Sequence, residues 1–513
     1  LYKDPYIITS NQLQHMKRKG ADHMIYDPGV ISREYVDEEL KRYLIPGMGV
    51  TVMKDDRCIL SSGFGCKDID TGEPITGSTK WGIASCSKAF TSALIAILVD
   101  KGLIEYDTPI IEYLPDFRMY DDILTRECTI RDMLMHRTGL SEHDAVWADK
   151  TTDRGELYRR LRYLKPRVPF RTEMIYNNTI YTVIGAIAEK ISGMSWEYMI
   201  REWIFGPLGM KDSYPTLAEI SECSDKASPY WNYNGTVKKI GLWDISPGDP
   251  CGGIVSCMDD ATKWVQFNLH NGKVGGIQMI SEKNMREMHR MQISTPFWAW
   301  PIDELHTDVG YGLGWFTYGY KGHDVVLHLG EIEGYCTLFA FMPDDGLSYV
   351  SFVNLHKPCV LPLFSVFFTV IDNVLKLGDS DWSGRFAAHM YDYGELHQHW
   401  NVNMLEEAVP VKGTSPSHRP EEYAGIYHND GYGRFEIVYD GSVLSGIYRG
   451  MHQTLEHLHY DTFKVPDIKE DTILVTAPLT FYADACTGRI SGFGIDMDPS
   501  GDTVIFKKEE QAK

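Results

Sequence analysis

The chain has 513 residues, 43% hydrophobic, 24% charged and 12% aromatic, an ordinary globular composition with length enough for more than one domain. Fifty Lys and Arg against 71 Asp and Glu give a formal charge of −21, which excludes a protein built to track nucleic-acid phosphates. Its longest apolar runs, such as 93–99 and 360–370, fall short of the roughly 20 residues a membrane span needs, and neither low-complexity tracts nor repeats appear.

In chain order, a polar leader occupies about residues 1–30. Val50-Thr-Val-Met, an Asp-rich turn at 54–57 and Cys58-Ile-Leu then read as two short strands. A helix is expected from about Ser85 to Lys101, with Phe90, Ala93, Leu94, Ile97 and Leu98 at helical spacing and Gly102 suited to the left-handed residue that ends it. The middle, to about residue 290, carries mostly helical signal, clearest over Thr179–Ser192 and Ala261–Asn268. Strand signal returns at 325–329, 335–342 and 348–355, the last two joined by Pro343-Asp-Asp-Gly346, a turn by composition. Strands at both ends with helices between imply a sheet assembled from distant parts of the chain and covered by helices, an α/β or α+β layer architecture. The pattern weakens over 381–415, and residues 409–420 have the Pro, Ser and Gly content of a linker. Beyond it come short alternating runs: 435–439, a turn at Asp440-Gly441, 442–444, then 472–476, 479–482 and 503–506. Residues 416–513 therefore read as a separate small β domain, a barrel or sandwich.

The ten cysteines are dispersed and include no C-x-x-C, so they read as buried thiols rather than a disulfide framework. That leans slightly toward the cytoplasm, but the chain begins at Leu1, a removed signal peptide stays open, and localisation is left unassigned. No metal ligand set is expected. His397 and His399 would share a face on a strand, and their place in a poorly patterned stretch assigns them to the surface. Asn234-Gly-Thr236 is a glycosylation sequon, meaningful only in a secreted protein; Asn177-Asn-Thr179 also fits, but a glycan there would obstruct any chemistry at the adjoining Tyr176.

No G-x-S-x-G, H-E-x-x-H, P-loop or G-x-G-x-x-G is present. Ser85-Cys86-Ser87-Lys88 is an S-x-x-K tetrad at the start of the expected helix. Residues i and i+3 share a helix face, and a helix N-terminus favours a developing oxyanion while disfavouring a nearby ammonium. A lysine acts as a base only if its pKa falls from about 10.4 to near 7, a shift worth roughly 4 kcal/mol. About one S-x-x-K arises by chance in a chain of this length, so the tetrad alone decides nothing. Tyr176-Asn177-Asn178 precedes a helical pattern and offers a phenol and a carboxamide; His328-Leu329-Gly330 lies on an expected strand and offers a side chain beside the site and a small residue where backbone must approach. A second Y-x-N, at Tyr230, has no helical pattern after it.

In this order, S-x-x-K, Y-x-N and H-x-G resemble the serine β-lactamase and penicillin-recognising family, in particular its branch of class C-like esterases and D-aminopeptidases, where H-x-G replaces K-T-G. Residues 101–109, 113–115, 129–140, 205–210, 252–253 and 311–315 agree with that branch, so the resemblance spans about residues 30–375. It implies a β-lactamase-like domain at 31–380, an antiparallel sheet flanked by helices with an added helical region. It further implies Ser85 as the acylated nucleophile, Lys88 as its base and Tyr176 as the proton relay to the leaving group. Asn178 would orient the substrate carbonyl, His328 would stand where relatives carry Lys or His, and the N–H groups of Ser85 and Glu331 would form the oxyanion hole beside Gly330. Glu331 departs from the small residue usual there and would narrow the site or select a cationic group. No counterpart of the class A deacylating glutamate is evident. Cys86, next to the nucleophile, is read as a buried small residue facing away. Tyr423-Ala-Gly-Ile-Tyr427, together with Asp440-Gly441 and Val443-Leu444, resembles, less specifically, the lipocalin-like domain of some relatives, which shapes the substrate entrance or an oligomer contact; an inert barrel fits equally.

The function implied is a serine hydrolase working through an acyl-enzyme on short peptides, D-residues included, or small esters, without cofactor, metal or membrane span. His328 in place of a permanent cation argues against a true β-lactamase. Two alternatives keep the fold: an acyltransferase or peptide cyclase using the same acyl-enzyme, and a non-catalytic scaffold. A homo-oligomer is left open.

Overall fold

The computed structural model describes residues 25–147, 151–233, 235–295, 304, 309–356, 360–378, 380–388, 409–465, 477–498 and 502–509. The leader to residue 24, the sequon at Asn234, His397, His399 and the strand expected at 472–476 lie outside these.

Chain start and chain middle meet in one sheet. Strands β1 (Gly47–Lys54) and β2 (Arg57–Gly65) form the expected first hairpin. They are joined by β3 (Ile293–Ser294), β4 (Gly310–Tyr311), β5 (Phe316–Tyr320), β6 (His323–Ile332), β7 (Tyr335–Met342) and β8 (Leu347–Val353). The eight run in the order β2-β1-β8-β7-β6-β5-β4-β3, antiparallel at each junction, with Met48 opposite Val353 where the two distant parts of the sequence pair. The turn after β7 closes at Gly346, whose φ of +58° an L side chain rarely adopts.

Period-two alternation assigns the two faces. Leu327, Leu338 and Tyr349 pack beneath the terminal helices α1 (Arg33–Tyr43) and α5 (Val360–Leu375); Val326, Phe339 and Val350 join the core of the helical region on the other face. Helix α2 (Ser87–Asp100) runs through that region and is buried from Ser87 to Leu98, so it has no solvent face. Helix α3 (Asn178–Ser192) starts under an Asn177 cap, whose Oδ1 accepts the Ile180 N–H at 2.8 Å, and stops at Gly193 with φ +73°. α4 (Met258–Leu269) packs against β7 and β8. The fold is the β-lactamase-like α/β arrangement, and no helix among the described residues is long and apolar enough to cross a membrane.

Where the expected linker begins, Trp382 and Phe386 are buried, with Trp382 stacked on Phe368 at 4.7 Å between ring centroids. The C-terminal strands form a closed barrel of eight, from Gly425–Asn429 to Val504–Lys508, sealed where Tyr427 pairs with Lys508. Its interior is packed with rings: Phe435, Phe481 and Phe506 lie 5.1–5.7 Å from one another or from Phe493. The barrel docks on His143, Ala145 and Lys165. His143 Nδ1 meets the Tyr432 hydroxyl at 2.8 Å, Tyr448 donates to the Ala145 carbonyl at 2.8 Å, and Lys165 pairs with Asp502 at 2.6 Å.

Candidate active site

Ser85 sits in a single 3-10 turn, Ala84–Cys86, that feeds α2, so the helix proper starts two residues later than the periodicity suggests. The turn is a strained entry: Ala84 has φ +47°, costly for a residue with a Cβ, and Ile83 is fixed by donating to the Ile254 carbonyl at 2.9 Å. Ser85 is half-buried, whereas Lys88 one turn on is fully buried. Lys88 Nζ donates to three acceptors, Ser85 Oγ at 3.0 Å, Asn178 Oδ1 at 2.8 Å and the Cys251 carbonyl at 2.9 Å. Among the described residues no carboxylate forms an ion pair with it, and burial brings its pKa down from 10.5 to about 8. The neighbouring Cys86 is buried with its sulfur directed to the His328 carbonyl and Thr337, both at 3.3 Å, and burial pushes its thiol up to about 12.

Tyr176 enters from the loop that α3 terminates. Its phenol faces the Ser85 side chain, its ring lies 4.7 Å from Lys88 Nζ, and burial holds the phenol protonated well above its usual range. Asn178, the first residue of α3, accepts from Lys88 and donates from Nδ2 to Asp144 Oδ1 at 3.2 Å. Asn177 between them is buried and spent on the helix cap and the Ser141 carbonyl, which leaves no place for a glycan.

β6 supplies the opposite wall. Its pairing with β5 ends at Phe316 opposite Leu327, so from His328 onward one edge of the strand has no neighbouring strand. A Cβ on Gly330 would stand 2.0 Å from the Ile83 carbonyl oxygen; only glycine lets the strand lie against the turn that carries Ser85. His328 is buried behind this wall. Its Nδ1 lies 2.6 Å from the Leu329 carbonyl and its Nε2 accepts from the Tyr311 hydroxyl at 3.1 Å, which fixes the proton on Nδ1. Burial lowers its pKa to about 3, so it stays neutral. The half-buried carboxylate of Glu331 lies 3.6 Å from His356 Nε2.

Ser85, Lys88, Tyr176 and Asn178 therefore form one cluster, with Gly330 against the turn below Ser85 and His328 and Glu331 each engaged with protein partners. Sequence reasoning did not single out Tyr311, Tyr181, His136 or the Cys251 carbonyl. Tyr311 and His136 stood inside stretches that matched the family, while a backbone carbonyl leaves no side-chain signal. Among the described residues no group of three or more His, Cys, Asp or Glu could hold a metal. Chemically, the cluster sets a hydroxyl within hydrogen-bond reach of an amine whose pKa burial lowers, with a phenol beside them.

The Beta-lactamase family matches residues 33–360, and a domain of unknown function, DUF3471, matches 409–508. Unguisins hydrolase ungD of Aspergillus violaceofuscus is 26% identical over 446 residues, covering 81% of this chain and 77% of the relative. Penicillin-binding protein 4 of Amycolatopsis lactamdurans is 26% identical over 327 residues, 61% of this chain and 82% of the relative. Among solved structures, the octameric penicillin-binding protein homologue from Pyrococcus abyssi superposes with a TM-score of 0.59 at 20% identity, over 92% of this chain and 98% of that one. The D-amino acid amidase from Ochrobactrum anthropi SV3 gives 0.56 at 22% identity, over 68% and 98%.

Proposed function

Since this chain belongs to the Beta-lactamase family, we propose that it is a serine hydrolase cleaving amide or ester bonds of short peptides, D-residues included, or of small esters. The observation that carries the reading is the contact between a buried, easily deprotonated Lys88 and the Ser85 hydroxyl, with the protonated Tyr176 phenol beside them. As Ser85 Oγ forms its bond to the substrate carbonyl carbon, its proton passes to Lys88 Nζ. The oxyanion is received by the N–H groups of Ser85 and Glu331, a type of contact worth about 100–1,000-fold in rate. The leaving group departs with the Tyr176 proton, which Lys88 restores. Water then attacks the ester, and the acid leaves as Ser85 regains its hydrogen.

Two relatives bear on the substrate class: one is named as a hydrolase of unguisins, the other is a D-amino acid amidase. The neutral, buried His328 offers no cation for a substrate carboxylate, which sets the reading apart from a true β-lactamase. The test is a panel of D- and L-amino acid p-nitroanilides and p-nitrophenyl esters. Turnover that disappears in Ser85→Ala is expected, with D-configured acyl groups preferred. Absence of turnover with every member, or turnover that survives the substitution, overturns the proposal.

A further inference from the structure

Resting on that reading, we propose that His136 is the positioning residue of Tyr176, holding the phenol in the place from which it protonates the leaving group.

Three contacts converge on Tyr176 from this one residue. The His136 carbonyl accepts the N–H of Ile175 at 2.9 Å, and its imidazole Nδ1 accepts the N–H of Asn177 at 3.0 Å. The chain is thus held immediately before and immediately after the tyrosine. The imidazole also leans on the phenol itself, with ring centroids 4.5 Å apart. His136 adopts φ +59°, the left-handed region that a residue with a Cβ enters only when its surroundings insist.

The tautomer is set by these bonds. Nδ1 accepts, so the proton sits on Nε2, and that atom, buried among the rings of Tyr176, Tyr181 and Tyr311, has no hydrogen-bond partner among the described residues. A phenylalanine would fill the same aromatic cage without stranding a donor, so packing does not account for an imidazole here. The Nδ1 acceptor does. Burial, with Lys88 and His328 close by, keeps the ring neutral, and its lone pair stays available to Asn177.

The consequence is selective. Breaking a C–N bond requires a proton on the departing nitrogen, whereas p-nitrophenolate leaves as an anion. A displaced Tyr176 therefore impairs amide cleavage and largely spares an activated ester carrying the same acyl group. The experiment compares p-nitroanilide and p-nitrophenyl ester turnover in wild type, His136→Phe, which keeps a ring and removes the acceptor, and His136→Asn, which restores an acceptor. The ratio of the two rates does not depend on how much of a sample is folded. We expect the amide-to-ester ratio to fall tenfold or more in His136→Phe and to recover at least threefold in His136→Asn. An unchanged ratio, joint loss of both rates, or absence of recovery overturns the inference. Wild-type protein that takes up no fluorophosphonate at Ser85 would instead overturn the hydrolase reading beneath it.

Discussion

With Lys88 as the base in the proposed reaction, it sets the pH at which Ser85 becomes reactive. Burial brings its pKa from 10.5 to about 8, a difference of roughly 3 kcal/mol in favour of the neutral amine. At pH 7 an unshifted lysine is neutral in about one molecule in 3,000, and this one in about one in ten, a gain of about 300-fold in competent base. Phosphonylation of Ser85 by a fluorophosphonate, followed by intact mass against time, is therefore expected to quicken about tenfold per pH unit below about pH 8 and to level off above it. The same shift has a signature in stability. Below about pH 8 folded and unfolded chains both hold the proton, and the folded state bears the full cost of the buried ammonium. Between about 8 and 10.5 the unfolded chain keeps the proton that the folded one has released, so stability rises with pH. Wild type should gain up to roughly 3 kcal/mol on Lys88→Met over that interval in denaturant titrations, while the variant labels far more slowly at every pH. A labelling rate flat from pH 6 to 9, or still climbing toward pH 10.5, would refute the reasoning, as would a stability gap that does not change with pH.

Gly330→Ala should slow Ser85 labelling at least tenfold with modest loss of stability, because the new Cβ meets the Ile83 carbonyl and pushes the turn that carries Ser85; labelling kinetics and a denaturation midpoint check it. Cys86→Ala should keep labelling within severalfold, and iodoacetamide at pH 8 should leave Cys86 of the folded protein unmodified, since the thiol is buried and held near 12; peptide mapping reads this directly. Tyr448→Phe removes the hydroxyl that donates to the carbonyls of Ala145 and Tyr432 where the barrel docks, and should cost about 1–3 kcal/mol in a denaturant titration.

How far the sequence could be read depends on how local the cause is. The i to i+3 spacing of Ser85 and Lys88 is local geometry, and it survives even though Ser85 lies in a 3-10 turn rather than the helix, because that turn still points both side chains the same way. The Asn177 cap, Gly346 in the hairpin turn and Gly193 at a helix end are equally local, and the strands and helix nearest them lie close to where the pattern put them. What periodicity could not reveal was made by distant pairing. The match of Met48 with Val353 closes the sheet, and that of Tyr427 with Lys508 closes the barrel, deciding it against a sandwich. His328 shows the limit most clearly: its strand was legible, yet the contact with Tyr311 that occupies its ring nitrogen depends on a third strand. The third partner of Lys88 is a backbone carbonyl, which any residue at position 251 would supply.

The central claim is that Ser85 is the nucleophile, with Lys88 as its base. Intact mass after exposure to a fluorophosphonate, followed by peptide mapping, addresses it without knowledge of the substrate. A single adduct on the peptide containing Ser85, lost in Ser85→Ala and slowed at least a thousandfold in Lys88→Met, is the result predicted. A folded protein that takes up no adduct, or one whose adduct persists in Ser85→Ala, would contradict it.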